Sequence, residues 1–245
     1  MNEALAWFVD HIPTWTEMAI GGPIGLGWAL LGLSLAGYLK KHKGWKTGYT
    51  RKVFHFFIFG SVAFIQVSLG TTMVCLFGGM TSLVVFYAVL RGEGNMLYEA
   101  MAREKDAPKR TYYVIAPYFA TLIGGVAANI FFGLFSLYGY LVVGIADAIA
   151  EPVGTRFGKH PYKVPTFHGL KLTRTLEGST AVFLGSLFAL LVGNICLTGE
   201  WQFNGMMLGI VAVLTLLEAV SPHGWDNFVL QLAAAGLVWW GIAGG

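Results

Sequence analysis

The sequence predicts an all-α fold, a polytopic bundle of about eight transmembrane spans (seven is the alternative count) with both termini on the non-cytoplasmic side. Three observations carry that expectation. Of 245 residues, 56% are hydrophobic and only 12% are charged, too little polar surface for a soluble domain of this length. Apolar runs at 19–39, 53–69, 72–90, 113–133, 135–151, 180–198, 205–220 and 226–243 are mostly long enough to cross a hydrocarbon core about 30 Å thick. All sixteen Lys and Arg residues fall in three connections, six in 40–52, five in 91–110 and five in 156–174. If the runs alternate across the bilayer, these connections and the 221–225 turn share one side, which the positive-inside rule makes cytoplasmic.

In chain order, Met1 to Glu17 carries acids but no Lys or Arg, so it lacks the basic region of a signal peptide. Trp7 and Trp15 suit an interfacial segment. Glycines are frequent within the apolar runs, as at Gly21, Gly22, Gly25 and Gly27 or Gly124 and Gly125, and let helices approach closely. One integral membrane domain over 1–245 is therefore expected, its oligomeric state left open because such faces serve both intra- and intersubunit packing. Cys75 and Cys196 lie in separate apolar runs without metal or redox spacing and read as packing residues.

The ionisable residues are unevenly placed. Asp147, Glu151, Glu177, Glu218 and Asp226, with His42, His55, His160, His168 and His223, sit at or near the basic side. The other side holds only Glu3, Asp10, His11, Glu17 and Glu200. Such groups are costly within or beside spans and mark functional candidates. Carboxylates set among many cations suit a metal-bound phosphorylated ligand, with no nucleic acid expected as partner.

The richest stretch runs from Gly144 through Asp147, Glu151, Pro152, Gly154, Arg156, Gly158, Lys159 and His160 to Thr173-Arg174-Thr175-Leu176-Glu177-Gly178-Ser179. On a helix Asp147 and Glu151 are one turn apart on one face, continued by Gly154, so the two carboxylates can share a divalent cation. Mg²⁺ suits one or two carboxylates completed by phosphate oxygens and water. Pro152 lacks an amide hydrogen, so the helix is expected to bend or stop there and release the Ala148 carbonyl. The bland reading of the two acids is a solvated helix end paired to Arg156; that of Gly154, Gly158 and Gly169 is a flexible loop. Arg156, Lys159, Lys163, Lys171 and Arg174 are phosphate-binding residue types.

An earlier cluster, Arg51-Lys52-Val53-Phe54-His55, opens the second run, with Arg51 and His55 one turn apart. His55 can serve as a general base toward a hydroxyl, donate to a phosphate, or be an interfacial histidine with no chemical role. A later cluster, Glu218 to Asn227, is a tight turn whose Glu218, Asp226 and Asn227 can add metal or nucleotide ligands, or be only a polar turn. The connection from Arg91 to Arg110 reads as a surface helix or cap, with Asn95 and Arg91-Gly92-Glu93-Gly94 as candidates for ordering a base.

In these residues the sequence resembles the polyprenol kinase family, which includes dolichol kinases, phytol kinases and the CTP-dependent diacylglycerol kinase. Three features match in order: Arg51-Lys52-x-x-His55, Asp147-x-x-Ala150-x-x-x-Gly154-x-x-Phe157-Gly158-Lys159, and Glu218 with Asp226-Asn227, over about residues 45–230. The resemblance implies transfer of the terminal phosphate of a nucleoside triphosphate, typically CTP with Mg²⁺, to a membrane lipid alcohol such as dolichol, phytol or geranylgeraniol. Catalytic segments are then expected at about 40–55, 144–179 and 218–227, facing the cytoplasm. Asp147, Glu151 and Glu218 become the expected metal ligands. Asp147, His55, Lys159 and Arg174 become the catalytic candidates. Arg51, Lys52, Arg156, Gly158, Lys163, Lys171, Glu177, Gly178, Asp226 and Asn227 become the substrate and nucleotide contacts. Two positions depart from the family pattern: Ala146 precedes Asp147 where a Gly is common, and Arg174-Thr175 stands where Lys-Ser or Lys-Thr is common. Phosphatidate cytidylyltransferases share part of the middle motif, so a CDP-lipid-forming enzyme is the second reading, and a small membrane transporter the third.

Overall fold

The computed structural model describes residues 3–165 and 173–243. Each of the eight apolar runs lies on helical backbone to within a residue at its ends. Among the described residues, four helical stretches are long and apolar enough to cross a membrane: Trp15–Lys43, Thr71–Arg91, Tyr112–Phe157 and Leu176–Thr198. The chain divides into two compact units, Met1–Lys105 and Asp106–Gly245.

The first unit holds α1 (Glu3–Asp10), α2 (Trp15–Lys43), α3 (Thr47–Ser68), α4 (Thr71–Arg91) and the short α5 (Met96–Glu99). Thr14 starts α2 with a capping box: its backbone N–H and hydroxyl donate to the Glu17 carboxylate at 2.7 and 2.8 Å. Gly44, at φ 66°, ends it in the left-handed conformation that glycine adopts without penalty. Lys40 to Lys43 fill the last turn, where cations suit the negative end of the helix dipole. The three long helices pack on one another, and α5 packs on α2 and α4. α3 has 22 residues, but its first turns, Thr47 to Lys52, are polar, which separates it from the more apolar helices.

The connection after α4 is not the surface cap that its polar composition suggests. Tyr98, Ala100 and Ala102 have no exposure, and Arg103 keeps 3%. The Thr50 hydroxyl donates to the Ala100 carbonyl at 2.9 Å, and Lys40 pairs with Glu104 at 2.5 Å while also reaching the Thr47 hydroxyl. A short polar segment is held down because its backbone and charges find partners on α2 and α3.

The second unit begins with α6 (Tyr112–Phe132), a single 3₁₀ turn at Gly133–Phe135, and α7 (Ser136–Leu141). A π-helical segment, Val142–Asp147, leads into α8 (Ala148–Phe157). The expected break at Pro152 is corrected: α8 runs through Pro152 to Phe157, and the irregularity lies one turn earlier. Local π adjustments of this kind are how membrane helices absorb a proline's missing donor. The fold is mostly helical, as expected, with one short ribbon added: β1 (Pro161–Lys163) and β2 (Thr173–Thr175) pair antiparallel, Tyr162 opposite Arg174. The remaining helices are α9 (Leu176–Thr198), α10 (Gly205–Val220) and α11 (Asp226–Ala243). α11 packs on α6 and α7, and α9 on α8, α10 and the π segment. Tyr138, Val142, Val182, Leu190, Leu214 and Leu230 are fully or almost fully buried there.

Candidate active site

Local sequence sets the scaffold of the second unit's polar cluster. The Thr175 hydroxyl caps α9 by accepting from the Gly178 N–H at 3.1 Å. A Cβ at Gly154 would stand 2.9 Å from that same hydroxyl, and one at Gly178 would stand 3.2 Å from the Ala150 carbonyl oxygen. These two glycines let α8 and α9 approach closely, so at Gly154 the structure has a packed crossing in place of the flexible loop that was the bland reading. Gly158 also sits against Thr175. Further along α9, a Cβ at Gly185 would lie 2.8 Å from the Ala146 Cα, so a glycine here seats the π segment and with it Asp147.

Arg174 is the hub. Its Nε pairs with Glu218 at 2.9 Å and one terminal nitrogen with Asp226 at 2.8 Å. The other terminal nitrogen donates to the carbonyls of Glu218 and, at 3.2 Å, Ser221. One guanidinium thus joins β2 to the end of α10 and the start of α11, using the fork geometry that lysine lacks. Burial works against its charge, yet Asp226, Glu218, Asp147 and the Tyr162 phenol outweigh that and hold its pKa above the ordinary arginine value. Asp147 is 7% exposed and Glu218 3%. Opposite Arg174 across the ribbon, the Tyr162 hydroxyl meets that of Ser179 at 2.7 Å. Burial pushes the Tyr162 pKa up, with Glu218 adding to the rise against the Ser179 hydrogen bond and Arg174.

The structure therefore holds Glu218 and Asp226 on Arg174, with the Asp147 charge contributing to the rise in its pKa. Among the described residues no three His, Cys, Asp or Glu side chains are placed to hold a metal ion, so Asp147, Glu151 and Glu218 form no ready cage. Glu151, on α8, is half-buried, while Arg156, Lys159 and Lys163 are exposed. The Arg156 guanidinium lies 5.4 Å from the centre of the Phe157 ring. Glu177 accepts from His160 through the ring nitrogen Nδ1 at 2.7 Å, an interaction the sequence did not suggest. Asn227 is buried and its amide donates to the Thr121 hydroxyl of α6 at 2.7 Å, while Gln231 donates to the Thr121 carbonyl at 3.0 Å. That engagement makes Asn227 a tie between helices here. His168, Gly169 and Lys171 lie outside the described residues.

Arg51, Lys52 and His55 belong to the first unit, on the opening turns of α3. Lys52 is buried, Arg51 and His55 half-buried, and the His55 ring lies 4.6 Å from that of Phe59, centre to centre. Asn95 caps α5 by accepting from the Leu97 N–H at 3.0 Å, which engages the oxygen expected to order a base. Sequence reasoning did not single out Tyr162 or Thr121, and it named Ser179 and Thr175 without giving either a role. Only Thr175, a capping type just before an apolar helix, carried a usable signal.

No family model matches the chain, and no solved structure matches it. The chain is 32% identical over 131 residues to a phytol kinase of Synechocystis sp., an alignment covering 50% of this chain and 53% of that protein. It thus spans about half the length of the curated relative it matches. Over that half, the chain is similar to a phytol kinase.

Proposed function

We propose that the chain is a membrane lipid-alcohol kinase that transfers the terminal phosphate of a nucleoside triphosphate, CTP in the first instance, to the hydroxyl of a polyprenol or other isoprenoid alcohol. The observation that carries this reading is the identity to a phytol kinase. The polar cluster supports it. Glu218 and Asp226 are held on the Arg174 guanidinium, and Asp147 adds its charge to theirs, so acids from three segments are gathered about one arginine. Mg²⁺ needs only one or two carboxylates beside phosphate oxygens and water, so a donor set of this kind fits it. One or two of the candidate ligands Asp147, Glu151 and Glu218, completed by phosphate oxygens and water, would hold the ion, which when bound would neutralise charge on the phosphate oxygens.

In this reading the alcohol oxygen bonds to the terminal phosphorus as the bond to the bridging oxygen breaks, releasing a nucleoside diphosphate. The hydroxyl proton passes to a base, for which His55 is the candidate. Lys159 and Lys163 are long, exposed cations suited to phosphate oxygens, and Arg51 and Lys52 are further candidates for them. Arg174 holds the carboxylates in place. The site faces the cytoplasm if the positive-inside rule governs this chain.

The test is nucleotide turnover by purified protein in detergent with Mg²⁺, offering CTP and ATP against geranylgeraniol, phytol, a long polyprenol and diacylglycerol. CDP together with a phosphorylated alcohol is expected. Pyrophosphate release with phosphatidate would replace the kinase by a cytidylyltransferase, and transport without nucleotide consumption would replace both.

A further inference from the structure

The first unit contains a half-open cleft of about 910 Å³ between the first halves of α2 and α4 and the second half of α3. Its walls are apolar, with Trp28, Phe56, Gly60 and Phe64 along its length and Glu17 and Leu69 at its far end. Three of its few polar groups, on Trp28, Ser61 and Glu17, are engaged. The Trp28 indole donates to the Ser61 hydroxyl at 2.9 Å, which donates to the Phe57 carbonyl at 2.8 Å. The Glu17 carboxylate is held by Thr14. Nothing in the wall calls for a polar ligand, and the volume lies within the range of small-molecule sites.

Shape and charge narrow the occupant. From Phe56 to Leu69 the cleft runs about 20 Å along α3, and a long, narrow, apolar lining of this kind suits extended hydrocarbon. Beyond Trp28 the same stripe of α2 continues through Leu31, Leu35 and Tyr38, all exposed, and Tyr38 contacts the His42 ring at 4.9 Å. This apolar track, about 20 Å from Trp28 to Lys41, ends among Lys41, Lys43 and Lys46, cations that complement an anionic head group.

We infer that the cleft is the seat of the distal isoprenoid tail of the lipid alcohol, whose hydroxyl or phosphate end lies toward the cationic ends of α2 and α3. The identity of the ligand rests on the kinase reading above. A tail must traverse the apolar track before it enters the cleft, so the cleft favours long chains and does nothing for short ones.

Gly60 supplies the test. It lines the cleft, and a Cβ there meets nothing within 4 Å, so Gly60→Phe fills the space without a clash at the backbone. The variant is expected to lose about tenfold or more in kcat/KM for a long-chain polyprenol while geraniol turnover and the Gly60→Ala control stay unchanged. A diazirine-bearing polyprenol is expected to label α2–α4 peptides of the wild type, with competition by unlabelled polyprenol and not by phosphatidylcholine. Equal competition by phosphatidylcholine assigns the cleft to bulk lipid, and a changed oligomeric state in Gly60→Phe assigns it to a second copy. Equal losses with both alcohols, or no loss with either, also overturn the inference. Specific labelling without phosphorylation of any alcohol upholds the cleft and removes the kinase.

Discussion

Arg174 on β2 and Asp226, the first residue of α11, are joined at 2.8 Å, and the same guanidinium also holds Glu218 and the last carbonyls of α10. A single side chain therefore closes the ribbon onto the turn between the last two helices.

Replacing it separates charge from geometry. Arg174→Ala leaves the buried Glu218 carboxylate without its principal cation and is expected to cost about 3–5 kcal/mol. Arg174→Lys keeps the charge but not the fork, and about 1–3 kcal/mol is expected. Thermal unfolding in one detergent reads both; equal melting temperatures for wild type and Arg174→Lys would show that the fork adds nothing.

Asp147→Asn keeps the shape of a side chain that is 7% exposed while removing its charge. Turnover is expected to fall about a hundredfold or more, because a neutral amide holds a divalent cation far more weakly than a carboxylate does. The fold should survive, as judged by elution and melting. A fully active variant removes Asp147 from the proposed metal site.

Gly185→Ala adds a Cβ 2.8 Å from the Ala146 Cα, so α9 and the π segment must part. A cost of about 1–3 kcal/mol is expected from overpacking, together with reduced turnover because Asp147 is the next residue after Ala146. Activity that stays whole while stability falls would separate the crossing from the site.

The Thr121 and Asn227 pair carries a different expectation. A double-mutant cycle of Thr121→Val and Asn227→Leu should return a coupling of about 0.5–1.5 kcal/mol, the scale of hydrogen bonds between membrane helices. Zero coupling would mean that the 2.7 Å contact adds nothing to stability.

Glu104 gives a pH dependence. Desolvation alone would raise its pKa, but the hydrogen bonds and charge of Lys40, with help from Thr47, prevail and lower it. A carboxyl whose folded value lies below its unfolded value adds stability above the unfolded pKa, and that contribution is lost as pH falls through the folded one. Wild-type melting temperature should therefore drop below about pH 4.5 more than that of Glu104→Gln. The margin should be small, since the Glu104 side chain is 68% exposed.

The helices were legible because apolar runs in a chain with 12% charged residues have few other ways to bury their backbone. Arg174, Glu218 and Asp226 stood out in the sequence because charges at the ends of apolar runs are costly. Their mutual contact was not legible, since Arg174 holds two carboxylates brought in from 44 and 52 residues away. Nor was the ribbon, whose strands are three residues each and carry no alternating apolar pattern. The buried segment around Tyr98 was hidden because its largely apolar run, Met96 to Ala102, is short and set within a polar connection, and its partners on α2 and α3 are distant in sequence.

The π-helical turn has a consequence for phase. A π turn houses more residues than an α turn, so Val142–Asp147 behaves as though a residue had been inserted into an otherwise regular helix. Deleting one residue there would restore regularity and rotate α8 by about 100° relative to α7. The Asp147 carboxylate owes its bearing toward Arg174 to an irregularity, and a perfect helix through the same stretch would point it elsewhere.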